Sequence, residues 1–128
     1  MIGSNGGWND GYELTMQIQH MLNLSNCKNY IVIGDTEEHW EEANSLEKTD
    51  VETILENVFG DKFFNARLYM LNNTYNFTNI KPSQEDINAL SIGSFPSFLR
   101  ADDTHLTGYG YYLLAQGIYS KCLNLNYF

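Results

Sequence analysis

The chain has 128 residues, of which 43% are hydrophobic, and this length and composition are ordinary for one soluble domain. Sixteen acidic against seven basic residues give a formal net charge of −9. That charge argues against a nucleic-acid partner, which would require a basic surface, and it disfavours binding to anionic membranes. No apolar run reaches the length of a membrane-spanning helix. The two cysteines, Cys27 and Cys122, lack metal or disulfide-framework spacing, so we expect free, buried thiols.

The N-terminal third of the chain predicts a helix followed by a strand. Asp10 and Glu13 have the spacing of a capping box, and the helix after them has one apolar face: Leu14, Ile18, Met21 and Leu22. The run 30–33, Tyr-Ile-Val-Ile, is short, apolar and closed by Gly34. This composition is typical of a strand that is buried on both faces of a parallel sheet.

A second helix and a second strand are predicted next. Thr49 and Glu52 form another capping box, and Gly60 ends the helix, whose apolar positions are Val51, Ile54, Leu55, Val58 and Phe59. The segment 63–65, Phe-Phe-Asn, is a weaker strand candidate.

The C-terminal half predicts two more helices. Ser83 follows a proline and is expected to cap a short helix through Leu90, and residues 93–100 are expected to form a loop. Thr107 is expected to cap the last helix, with Leu106 and Tyr111 placed as a hydrophobic staple. The predicted apolar face of that helix is Tyr111, Leu114, Ile118 and Cys122.

Alternating helices and strands predict an α/β fold with a parallel sheet covered on both faces. Sites in such folds form at the carboxyl ends of strands, in the loops that lead into helices. Only Met1 and Ile2 precede the turn Gly3-Ser4-Asn5, where a full strand is expected. We therefore interpret residues 1–128 as a single domain that is truncated at its N-terminal side.

The most informative segment is 102–110, Asp-Asp-Thr-His-Leu-Thr-Gly-Tyr-Gly. It places a carboxylate three residues before a histidine at the entrance to a helix. An imidazole titrates near neutral pH and can therefore take a proton from a hydroxyl and return it to a leaving alkoxide. A neighbouring carboxylate holds the ring in the useful tautomer. His105 is thus the first candidate for catalysis, with Asp102 as its partner and Asp103 as the alternative acid.

This Asp-x-x-His-Leu-Thr-x-x-Gly pattern resembles the last motif of the SGNH (GDSL-type) ester hydrolases. The resemblance implies that the chain is the C-terminal part of a three-layer α/β/α, flavodoxin-like sandwich with a parallel sheet. It also implies that His105 and Asp102 belong to a Ser-His-Asp triad, which needs no metal and no organic cofactor. The implied substrate is a small-molecule ester, such as an acetylated carbohydrate.

The family's oxyanion-binding asparagine lies in a Gly-x-Asn motif, for which the chain has two candidates. Asn5 lies in Gly3-Ser4-Asn5, directly after the short strand, and Asn9 lies in Gly7-Trp8-Asn9. We favour Asn5, because Gly-Ser-Asn-Gly is a turn composition and because the choice of Asn9 would take Asp10 away from its capping role.

The family's nucleophile motif, Gly-Asp-Ser, does not occur in the sequence. The segment 34–36, Gly-Asp-Thr, imitates it, but no Gly-x-Asn follows it before Asp102, so we interpret 34–36 as a loop. The acidic residues between 35 and 42, together with His39, are better explained as a solvated helix start than as a metal site.

Two functions follow from these observations. The first is a serine ester hydrolase, of which this chain is a fragment that carries His105, Asp102 and Asn5 and takes its serine from elsewhere. The second is a non-catalytic SGNH-like protein that binds a carbohydrate or another protein, for which the aromatic residues are suited.

Overall fold

The computed structural model describes residues 7–36, 45–102 and 104–128. Within these ranges the chain forms a mixed helix and strand fold with a small parallel sheet. Its elements are α1 (Gly11–Ser25), β1 (Val32–Ile33), α2 (Asp50–Phe59), β2 (Phe63–Phe64), α3 (Ala66–Asn73), α4 (Gln84–Ser91) and α5 (Gly108–Asn124). Short 3-10 helices cover Gly60–Lys62 and Ser97–Leu99.

The two strands are parallel, as predicted. Val32 pairs with Phe63, and Ile33 pairs with Phe64. The Gly34 N–H donates to the Phe64 carbonyl at 2.9 Å and extends this ladder by one bond. Since α2 lies between the strands along the chain, it belongs to the crossover connection that parallel strands require.

β1 is shorter than the predicted run 30–33, and the Tyr127 hydroxyl explains the difference. That hydroxyl accepts a hydrogen bond from the Tyr30 N–H at 3.2 Å and donates to the Tyr30 carbonyl at 2.9 Å. Lys62 Nζ also bonds to the same hydroxyl. The backbone groups of Tyr30 are therefore satisfied by a side chain, and the ladder begins only at Val32.

The predicted helix caps are confirmed, with one correction. Asp10, Thr49, Ser83 and Thr107 each accept a hydrogen bond from the backbone N–H three residues on. The Thr49 box is reciprocal, as predicted. The box at α1 is not the predicted reciprocal one, because the Glu13 carboxylate accepts from the Asn9 N–H at 2.8 Å.

Successive residues of the strands belong to different parts of the core. Phe63 and Val32 pack in a cluster with residues of α1 and α2, namely Leu14, Ile18, Leu55 and Phe59. Phe64 packs in a second cluster, which combines α3, α5 and the 95–106 segment: Ala66, Met70, Leu71, Phe95, Leu99, Leu106, Leu113 and Leu114. The alternation of a β-strand thus distributes apolar side chains to both faces of the small sheet.

The predicted face of α5 is confirmed at Leu114, which is buried, and at Ile118, which packs against the core, but not at Tyr111. The buried residues of α5 are Gly110, Leu113, Leu114 and Gly117, whereas Tyr111 is 53% exposed, which does not fit the predicted staple with Leu106. The reason is a close approach at Gly117, where a Cβ atom would lie 2.5 Å from the Phe64 ring. Small residues therefore direct this face inward, although they add little to a hydrophobic pattern.

Both cysteines are free, as expected, but their predicted burial is wrong. Cys27 is exposed and Cys122 is only half-buried.

The sequence did not predict α3, and its residue Arg67 shows why. Arg67 is buried, and its guanidinium binds both oxygens of the buried Glu52 carboxylate at 2.7 Å. It also donates to the carbonyls of Ser45 and Glu47, at 2.6 and 2.8 Å. A charged residue on the inner face of a helix breaks the apolar periodicity by which an amphipathic helix is recognised.

We predict that Arg67→Ala lowers the free energy of unfolding by about 3–5 kcal/mol, because it leaves the Glu52 carboxylate buried without its counter-charge. Urea denaturation measures this loss. Lys48→Ala is the matched control, since Lys48 pairs with Glu56 at an exposed position, and that change should cost under about 1 kcal/mol. Equal losses in the two variants would contradict the prediction.

Candidate active site

The segment that carries Asp102 and His105 is a tight turn at the entrance to α5. Arg100 and Leu106 form an antiparallel bridge, and the Ala101 N–H donates to the His105 carbonyl at 2.8 Å. The backbone therefore doubles back between residues 101 and 105, which brings side chains three positions apart onto the same side of the turn.

The Asp102 carboxylate is the centre of this turn. Its Oδ1 atom accepts hydrogen bonds from the N–H groups of Thr104, at 2.8 Å, and His105, at 2.7 Å. Both carboxylate oxygens lie 2.9 Å from His105 Nδ1. The hydrogen bond from Thr104, followed by those from the backbone and ring of His105, lowers the pKa of Asp102 to about 2. Asp102 is therefore ionised at neutral pH.

This arrangement fixes the tautomer of His105. An ionised carboxylate can only accept hydrogen bonds, so the proton of the neutral ring lies on Nδ1 and is donated to Asp102. The lone pair then lies on Nε2. The His105 side chain is 66% exposed and that of Asp102 is 58% exposed. The ring can consequently take a proton from a hydroxyl group that approaches from solvent.

The stem of the turn lies beside the carboxyl end of β1. The Arg100 guanidinium stacks over the Phe95 ring at 5.5 Å and donates to the Thr36 carbonyl at 3.4 Å. Thr36 follows β1 by three residues. The position agrees with the expectation that sites form where strands of a parallel sheet lead into loops.

The other predicted residues have different outcomes. Asn5 and Asp103 lie outside the described residues, as do residues 37–42 of the acidic run. Asn9 donates its side-chain amide to Glu13 at 2.6 Å, and Asp10 caps α1 as predicted, while the choice of Asn5 over Asn9 stays a prediction. Thr36 is buried in the loop after β1, where a hydroxyl cannot meet a substrate.

The structure also explains the Leu-Thr-x-x-Gly part of the motif. Leu106 is buried in the core, next to the exposed turn. A Cβ atom at Gly110 would lie 2.4 Å from the Leu99 carbonyl oxygen and 3.0 Å from the Leu106 Cβ. Only glycine permits α5 to start this close to the Ser97–Leu99 segment. Leu106, through its burial, and Gly110, through its close contact with Leu99, thus attach the turn to the core.

A row of aromatic rings that no motif in the sequence predicts begins beside the turn. Phe98 lies 5.8 Å from Tyr109, Tyr109 lies 6.4 Å from Tyr112, and Tyr112 lies 6.1 Å from Phe77 between ring centroids. The Tyr109 hydroxyl donates to the Thr74 carbonyl at 2.9 Å, and burial raises the pKa of Tyr109. Only the aromatic content of the sequence hinted at this row, since its members are far apart along the chain.

Comparison with known proteins adds no relative: no family model, curated protein or solved structure matches the chain. The resemblance to SGNH hydrolases therefore stays a prediction that depends on the residues of the motif. No helix in the described ranges is long and apolar enough to cross a membrane. Nor do three or more His, Cys, Asp or Glu side chains of that part of the chain group so as to hold a metal ion.

We predict that Gly110→Ala destabilises the protein by about 1–3 kcal/mol, because the added methyl group meets a backbone oxygen that cannot move independently. Gly108→Ala is the matched control two residues earlier, where a Cβ atom would meet nothing within 4 Å. That variant should be neutral or more stable by up to about 1 kcal/mol. Thermal unfolding compares them, and a Gly110→Ala protein as stable as the control would contradict the proposed packing.

Ionisation of Asp102 is predicted to make the stability of the folded protein depend on pH in the acidic range. Because the pKa of Asp102 is about 2 in the folded protein and 3.8 is its ordinary value, the ionised side chain stabilises the fold above the higher value. This contribution is lost as the pH falls through the lower value. The stability difference between wild type and Asp102→Asn should be constant above about pH 5 and shrink towards pH 2. Urea midpoints measured across this range test it, and a difference independent of pH would contradict it.

Proposed function

We propose that the chain contributes the base and its orienting acid to a serine ester hydrolase of the SGNH type that acts on small acyl esters. The observation that supports this proposal best is the pair of 2.9 Å contacts between His105 Nδ1 and the Asp102 carboxylate. They place Nδ1 against the carboxylate, so the lone pair of the neutral ring lies on Nε2 of a side chain that is 66% exposed. General-base activation of a hydroxyl requires a ring held in this tautomer.

In the proposed reaction, His105 Nε2 takes the proton from a serine hydroxyl while the serine oxygen bonds to the ester carbonyl carbon. The same nitrogen then returns the proton to the leaving alkoxide, and water releases the acyl group by the reverse sequence of proton transfers. Asp102 stabilises the imidazolium. Asn5, which lies outside the described residues, is the proposed donor to the oxyanion. No metal or organic cofactor takes part.

The nucleophilic serine is the component that these 128 residues do not supply, because the motif Gly-Asp-Ser does not occur in them. In this proposal it comes from a segment or chain outside them. The chain alone is then expected to hydrolyse esters no faster than an accessible imidazole does.

We also propose that the described part of the chain belongs to a larger three-layer α/β/α sandwich. Its support is the alternation of Phe63 and Phe64 between two helix-bearing core clusters. An open apolar groove of about 290 Å³ also runs along β1, lined by Ile18, Met21, Leu22, Ser25 and residues 30–33. Further strands and helices of a larger sheet would cover such a groove.

The test is ester hydrolysis by a polypeptide or complex that combines the family's Gly-Asp-Ser block with this sequence, with p-nitrophenyl acetate as the substrate. His105→Ala should lower kcat by several orders of magnitude, because the serine loses its base. His20→Ala is the control, since His20 is an exposed histidine of α1 and has no part in the proposed triad. Near-normal hydrolysis by the His105→Ala protein would overturn the proposal.

A second candidate function is binding without catalysis, and the aromatic row favours it. Phe77 and Tyr112 are 44% and 48% exposed and meet edge to face. Exposed aromatic surface of this kind can stack against a saccharide or pack against another protein. In that case the serine-supplied protein would show no ester hydrolysis, and the His105→Ala change would have no effect on ligand binding.

A further inference from the structure

The Asp102–His105 pair is exposed, so the packing of its own side chains does not fix its geometry. Hydrogen bonds inside the turn join Asp102 to the backbone of Thr104 and His105. These bonds determine the shape of the turn only if its two ends are held at a constant separation. The first end is the Ser97–Leu99 helix and Arg100, and the second end is the start of α5.

Thr107 joins these two ends directly. Its N–H donates to the Leu99 carbonyl at 2.9 Å, and its hydroxyl donates to the Phe98 carbonyl at 2.7 Å. The same hydroxyl accepts the Gly110 N–H at 3.1 Å and so caps α5. One side chain, two residues after His105, thereby binds the segment before the turn and the helix after it.

We propose that Thr107 is a positioning residue for the Asp102–His105 pair, which it acts on by clamping the two ends of the turn. The inference depends on the proposed function only for its catalytic consequence. The geometry of the pair exists in the chain without substrate and without a nucleophile, and it can be measured there.

The bond to Phe98 separates this role from ordinary helix capping. Thr49 also caps a helix with its hydroxyl, which accepts from the Glu52 N–H at 3.2 Å, but it lies at the start of α2. A variant of Thr49 therefore loses a cap without loosening the turn. Thr107→Ser retains the hydroxyl and should retain the clamp, whereas Thr107→Val retains the shape of the side chain and loses both hydroxyl bonds.

The experiment is nuclear magnetic resonance of the chain labelled with ¹³C and ¹⁵N, with the His105 ring nitrogens as the first readout. In the wild type at a pH where the ring is neutral, the shifts should report a proton on Nδ1. In Thr107→Val they should move towards the Nε2–H form that free histidine prefers, because the bond to Asp102 is weakened. Thr107→Ser and Thr49→Val should both keep the wild-type shifts.

The second readout is the pKa of Asp102, followed through its carboxyl carbon. It should rise in Thr107→Val from about 2 towards the ordinary 3.8, by about one unit, since hydrogen bonds to a carboxylate lower its pKa by such amounts. Wild-type ring shifts and an unchanged pKa in a folded Thr107→Val protein would overturn the proposal. So would an equal change in Thr49→Val, because it would trace the effect to lost stability.

The outcomes for Thr107 and for the hydrolase are distinguishable. If Thr107→Val alters the ring and Thr107→Ser restores it, the positioning role holds whether or not the serine-supplied protein hydrolyses esters. If hydrolysis then proceeds normally without His105, the hydrolase proposal fails by itself. In an active protein, Thr107→Val should lower kcat more than it alters KM, because the base is misaligned while the substrate surface is unchanged.

Discussion

The buried pair of Arg67 and Glu52 connects the parts of the molecule on which the turn depends. Burying two charges is unfavourable unless their remaining hydrogen-bonding groups are also satisfied. Here the guanidinium meets this condition with the carbonyls of Ser45 and Glu47. The ion pair therefore fixes three pieces at once: α2 through Glu52, α3 through Arg67, and the backbone that leads into α2. The apolar side chains of α2 belong to the cluster around Phe63, and those of α3 belong to the cluster around Phe64.

From that backbone the contacts continue towards the site. A Cβ atom at Gly93, whose φ is +77°, would lie 2.4 Å from the Ser45 carbonyl carbon, so the chain after α4 passes directly over Ser45. Two residues later Phe95 enters the core and meets the Arg100 guanidinium with its ring. The segment that supports the Asp102–His105 turn is thus placed by the same backbone that Arg67 holds. Glycines at 93 and 110 mark two places along this path where a Cβ atom would meet the backbone of another segment.

Most of the parts of the structure that the sequence predicted are determined within a few residues; the parallel pairing of β1 with β2 was inferred instead from the alternation of helices and strands. Each helix cap, and the contact between Asp102 and His105, joins positions three apart, and local residue types suffice for them. The Asp-x-x-His pattern therefore predicted a geometry that the structure contains, and the catalytic role of that geometry stays a prediction. Asn5, the third predicted site residue, lies outside the described part of the chain.

The parts that were wrong or missed depend on distant partners. α3 is amphipathic only if Arg67 counts as an inner residue, and its partner Glu52 is 15 positions away. β1 starts late because of Tyr127, which is 97 positions from Tyr30. The buried face of α5 is decided by Phe64 and Tyr69, which occupy the space that a side chain at Gly117 would need. The spacing of apolar residues along α5 carries no information about Phe64 or Tyr69, so the position of the helix was predicted correctly while its buried face was predicted only in part.

The exposure of the Asp102–His105 pair has a chemical consequence for the proposed reaction. A histidine held as the Nδ1–H tautomer is competent as a base in water, but water also screens the carboxylate that stabilises the imidazolium. The larger part of a rate enhancement in ester hydrolysis comes from donors aimed at the oxyanion in a site from which water is excluded. The turn therefore supplies orientation, which a local hydrogen-bond network can provide alone. A serine, oxyanion donors and a low dielectric constant require chain packed over the turn, where the His105 side chain is 66% exposed.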